Sequence, residues 1–76
     1  MLYSEYYISQ NNKNKIPIDK KFVKWINTVE GIVLKNIGLT LLDIPDEDYM
    51  LNYESKIEPN EMAQYIISQY PLCYVN

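Results

Sequence analysis

Between Asp19 and Gly38 the apolar positions recur at helical spacing. Phe22, Trp25, Ile26, Val29, Ile32, Val33 and Ile37 form one continuous stripe, and Lys20, Lys21, Lys24 and Asn27 fall off it. That pattern predicts an amphipathic helix with one buried face. Asp19, two residues after Pro17, supplies its start, and Gly38 stands where a left-handed stop belongs. Gly31 interrupts the run. It costs a helix about 1 kcal/mol relative to alanine, and it leaves room for another element to approach.

Beyond Gly38 the pattern tightens. Thr40 followed by Asp43 predicts a short capped turn, which Pro45 ends because the residue before a proline avoids helical geometry. Asp46 then reads as the cap of a second helix, with Glu47 and Asp48 in its first turn complementing the helix dipole. Tyr49, Met50, Tyr53 and Ile57 give that helix its apolar side. Glu58 and Pro59 open a third helix, with proline at its tolerated first position. Met62, Ala63, Ile66, Ile67 and Tyr70 make its stripe, and Pro71 ends it.

The N-terminal stretch is harder to assign. Residues 1–9 are short and aromatic and suit either an edge strand or a helical turn docked on the body. Residues 10–15 are polar without periodicity and read as an exposed loop. The expected organisation is an N-terminal aromatic segment and loop over 1–15, a helical domain over 16–71 and a tail over 72–76. The expected fold class is mainly α: a compact bundle of about three short helices, with room for a short β element built from the termini.

Composition narrows the picture. Seventy-six residues suffice for one domain, which buries only about 60% of its unfolded surface. The 47% apolar content still favours folding over disorder. Eight tyrosines and one tryptophan supply much of the bulk, placing amphipathic rings at a core boundary or a binding surface. Cys73 is the only cysteine, so no internal disulfide can form. Neither a leader peptide nor a run of 18 apolar residues is apparent, so cytoplasmic residence is expected and a membrane partner is not.

With the helix and turn positions placed, the chain resembles a family of short, uncharacterised bacterial and phage proteins. Members combine an aromatic-rich helix, a Gly-Leu/Val-Ser/Thr turn, an Asp-Leu-Pro-Asp-like segment, a Tyr-x-x-x-Tyr helix and a Pro-x-Glu-x-Ala helix start. The matching positions are Trp25, Val29 and Glu30, then Gly38, Leu39 and Thr40, then Asp43, Ile44, Pro45 and Asp46. Tyr49, Tyr53 and Glu54 follow, and Pro59, Glu61 and Ala63 complete the set. The resemblance covers residues 22–67. Two positions depart from the pattern: Lys56 stands where the family places glycine, and Asn52 where it places an aromatic. The resemblance implies a helical fold and no particular activity.

Catalytic chemistry finds little support in the residues. There is no histidine to activate Cys73 or a serine, and the two glycines stand alone rather than in a phosphate-cradling loop. The acids Asp43, Asp46, Glu47, Asp48 and Glu54 lack calcium-loop spacing, and capping and dipole roles account for three of them. Paired carboxylates for glycoside chemistry need a cleft that a chain this small rarely provides. Glu61-Met62-Ala63 with Ser68 misses the spacing of a ubiquitin-binding helix by one residue. No cofactor is expected, and no enzyme.

Charge is the stronger functional signal. Residues 1–36 carry six lysines against three acids, a net +3, whereas residues 37–76 carry one lysine against seven acids, a net −6. The expected function is therefore a non-catalytic, acidic protein-interaction module that regulates or inhibits a host or mobile-element protein. Its partner would present a basic surface, as nucleic-acid-binding proteins do. The candidate contact residues are Glu47, Asp48, Tyr49, Tyr53, Glu54 and Tyr65. A solvated acidic face that only keeps the domain soluble is the simpler reading of the same charge. A homo-oligomeric structural module is the alternative function. A third reading, nucleic-acid binding through Lys13, Lys15, Lys20, Lys21 and Lys24 beside Trp25, is weakened by the absence of arginine and the net charge of −3.

Overall fold

The computed structural model describes residues 1–70, which form four helices and no strand: α1 (Tyr3–Lys13), α2 (Lys20–Ile37), α3 (Tyr49–Glu54) and α4 (Pro59–Ser68). The protein is mainly α, as the periodicity implies. The added element is α1, which takes the place of the expected strand or single turn and runs through most of the polar stretch read as loop. Pro71 and the tail at 72–76 lie outside the described residues.

The ends of α2 follow from the sequence. Asp19 Oδ1 accepts from the backbone N–H groups of Lys21 and Phe22 at 3.0 and 3.1 Å. At the other end Gly38 adopts φ 72°, and its N–H donates to the Leu34 carbonyl at 2.9 Å. The Thr40–Asp43 turn also forms. Asp43 Oδ2 accepts from both the Thr40 N–H and hydroxyl at 3.0 Å, and the Asp43 N–H returns a bond to the Thr40 carbonyl. Those donors, the backbone N–H first, hold the Asp43 carboxyl below the ordinary range.

The most extensive packing is between α2 and α4, and α1 and α3 also pack against α2. The core takes Phe22, Ile26, Val29 and Val33 from α2, Leu41 and Ile44 from the connection, Tyr49 from α3, and Met62, Ala63 and Ile66 from α4. Each large apolar side chain so buried contributes roughly 1.5–3 kcal/mol, most of it offset by the entropy of ordering the chain.

One α2 residue breaks the apolar pattern. Glu30 is 2% exposed. Its Oε1 accepts from the Tyr3 N–H and its Oε2 from the Leu41 N–H, both at 2.8 Å. The first of these is a donor at the start of α1 that no intrahelical carbonyl can receive. Glu30 thus caps α1 from a distance while holding the strand of chain that follows Gly38. Ring packing completes the attachment of α1: Tyr3 meets Tyr49 edge-on at 5.0 Å between centroids, and Tyr7 meets Phe22 at 4.8 Å. The Tyr7 hydroxyl also accepts from the Asp19 N–H at 3.0 Å.

Helices α1 and α3 end in the same way. Lys15 and Lys56 adopt φ 57° and 63°, the left-handed region. Lys15 N–H donates to the Asn12 carbonyl and Ile16 N–H to the Asn11 carbonyl; Lys56 N–H donates to Tyr53 and Ile57 N–H to Asn52. Both are Schellman stops built on a Lys-Ile pair, with a proline one or two residues further on.

Candidate protein-interaction face

The structure sorts the acidic residues by what they bond. Glu5, Asp19, Glu30, Asp43 and Asp48 all accept hydrogen bonds from backbone N–H groups within the chain. The cap of α3 is Asp48, whose Oδ1 accepts from the Leu51 N–H at 3.1 Å, rather than Asp46. This corrects the expected start. Asp46 and Glu47 lie in the irregular chain before the helix, between buried Ile44 and buried Tyr49. Asp46, Glu47, Glu54, Glu58 and Glu61 have side chains that accept no hydrogen bond from the described residues. Glu58 and Glu61 sit at the start of α4, where its dipole favours negative charge. Glu54, at the last position of α3, sits where the dipole disfavours it.

The six candidate contact residues do not form one surface. Tyr49 is 1% exposed, so its ring belongs to the core and is not presented to a partner. Its hydroxyl finds no hydrogen-bond partner among the described residues. Burial first, and then the Glu47 charge, push its phenol well above the ordinary range. Tyr53 is half-buried in an aromatic cluster, edge-on to Phe22 at 5.4 Å and to Trp25 at 5.8 Å. Desolvation and the nearby Asp19 carboxylate raise its phenol as well. Asp48 is exposed but already occupied as a cap. Glu54 is exposed at the end of α3, and Tyr65 is 50% exposed on α4.

What the fold does bring together is Glu47 and Tyr65. The two line a pair of adjoining clefts between α4 and the segment 44–52. One cleft, of about 220 Å³, has Ile44, Pro45 and Ile66 among its walls. The other, of about 310 Å³, adds Asn52, Glu61 and Met62. Glu47 is half-buried with its carboxylate unbonded, beside an exposed phenol ring. Sequence reading missed Glu61 as a member of this face. Its spacing of four from Tyr65, one helical turn, was the available signal.

No group of three or more metal-ligating side chains occurs among the described residues, and no described helix is long and apolar enough to cross a membrane. No family model, curated protein or solved structure matches the chain.

Proposed function

We propose that the protein is a non-catalytic acidic interaction module that binds a partner protein with a basic surface and thereby regulates or inhibits it. A nucleic-acid-binding or defence protein of a host or mobile element suits that description, in keeping with the resemblance to short bacterial and phage proteins. The observation that carries the reading is half-buried Glu47, its carboxylate unbonded within the described chain and lining the same clefts as exposed Tyr65, in a half of the sequence with a net charge of −6. A carboxylate that no donor of the chain engages is open to pair with a cation brought by another molecule. The test is affinity capture from a lysate with the parent and with the Glu47→Lys/Glu54→Lys protein, Asp48 being left intact because it caps α3. Loss of a basic-surfaced protein with the variant, at unchanged thermal stability, supports the reading. Capture indifferent to the charge reversal overturns it.

A second reading, self-association, is favoured by one observation. Leu2 and Leu34, 41% and 42% exposed, line a cleft beside Gly31, and beyond its chain neighbours and the local turns of its own helix nothing packs against the Gly31 Cα, which leaves open space there. A monomer at all concentrations in sedimentation equilibrium rules it out.

A further inference from the structure

We infer that the paired clefts beside α4 receive two cationic side chains, arginine above all, from one basic segment of the partner, one on each side of the Glu47–Tyr65 partition. This rests on the reading above and names the chemistry of its contact. The clefts, at about 220 and 310 Å³, lie below or at the small end of the roughly 300–1,000 Å³ typical of small-molecule sites. They are sized for single side chains. Their walls combine apolar surface from Ile66 and Met62 with the exposed ring of Tyr65, which suits an aliphatic stem ending in a cation. Carboxylates stand at both: Glu47 belongs to each cleft, and Glu61 to the larger. A guanidinium fits this set better than an ammonium, because it stacks on an aromatic face and forks onto a carboxylate at once. The charge of the surrounding half, net −6 over residues 37–76, excludes an acidic occupant and steers a basic one.

The test is an amide chemical-shift titration of the full chain with hexaarginine at low salt, with hexalysine and hexaglutamate as comparisons. Hexaarginine is expected to move the amides of Ile44, Glu47, Tyr65 and Gln69, and hexaglutamate is expected to move none of them. Glu47→Gln and Tyr65→Leu each weaken hexaarginine binding about fivefold, whereas Glu54→Gln, the same charge change outside the clefts, weakens it less than about twofold. Both positions are exposed or half-exposed, and a thermal melt of each variant checks that the fold is kept. Equal weakening by Glu47→Gln and Glu54→Gln, or shifts scattered over the acidic half, means diffuse attraction and overturns the cleft assignment. So does the absence of any shift. Neither result touches the interaction reading, which falls only if partner capture ignores the Glu47→Lys/Glu54→Lys reversal.

Discussion

Replacing Glu30 by glutamine exchanges one carboxylate oxygen for an NH₂ group and tests how α1 is held. In the parent both carboxylate oxygens accept backbone N–H groups at 2.8 Å, from Tyr3 and Leu41, in a site 2% exposed to solvent. Glutamine can accept only one of them, and its NH₂ then faces the other N–H, donor against donor. A buried donor left unsatisfied costs about 1–3 kcal/mol, and the surviving bond loses its charge assistance, worth about another 1 kcal/mol. Against this stands the relief of no longer burying a charge, which in some proteins outweighs a lost ion pair. Here the groups left behind are backbone donors that cannot move away, so the loss dominates at roughly 2–4 kcal/mol. A chain of this length has about 4–11 kcal/mol in total, so the variant forfeits a large share of it. Urea denaturation followed by circular dichroism measures the change, which corresponds to a fall in Tm of roughly 10–25 °C. Amide exchange provides the local readout, with Tyr3 and Leu41 losing protection before the centre of α2. A Glu30→Gln protein within about 0.5 kcal/mol of the parent, or more stable than it, would refute the argument.

Three further outcomes are expected. Lys56→Gly should raise stability by about 0.5–1 kcal/mol in urea, because relief of a left-handed residue exceeds the entropy glycine adds to the unfolded chain; a lower midpoint would contradict this. Asp48→Ala should cost about 1 kcal/mol and Asp46→Ala less than about 0.5, which separates the true cap of α3 from its neighbour. Tyr49→Phe removes a buried hydroxyl with no partner among the described residues, so it should stabilise the protein by about 1 kcal/mol at neutral pH. The same change fixes a sign at high pH. The folded-state phenol titrates above the ordinary value near 10, so its contribution is complete below that pH and is lost as pH rises above it, at up to about 1.4 kcal/mol per pH unit. Denaturation midpoints taken from pH 8 to 11 should therefore fall more steeply for the parent than for Tyr49→Phe, and parallel curves would show that Tyr49 is not the group responsible.

The parts of the fold legible in the sequence are those decided locally. The α2 stripe, the Asp19 and Gly38 caps, the Thr40–Asp43 turn and Pro59 at the first position of α4 each depend on residues within a turn or two of one another. Helix α1 was not legible as a full helix, because its aromatic first half is too short to establish a period, its second half is polar, and one of its first N–H groups is capped by Glu30, 27 positions away. The spacing did place Glu30 on the buried face, four residues after Ile26 and three before Val33, but a carboxylate there reads as solvent-facing until its two donors are known. The run Asp46-Glu47-Asp48 offers two aspartates that could each cap the helix. Tertiary burial of Ile44 and Tyr49 decides between them. The candidate site divided on the same ground. Tyrosine at helical spacing suits a core as well as a surface, and Tyr49 and Tyr53 were drawn inward while Tyr65 stayed out.

The stop of α3 also has an optical consequence. Trp25, the only tryptophan, donates its indole N–H to the carbonyl of Ile57 at 2.9 Å, and its ring stacks on Phe22 at 6.0 Å between centroids. Ile57 lies just past the left-handed Lys56, in the short link between α3 and α4. Emission from that one indole therefore watches the joint where three helices meet. A colour change on heating reports that joint coming apart, and a change seen by circular dichroism without it reports α1 leaving alone.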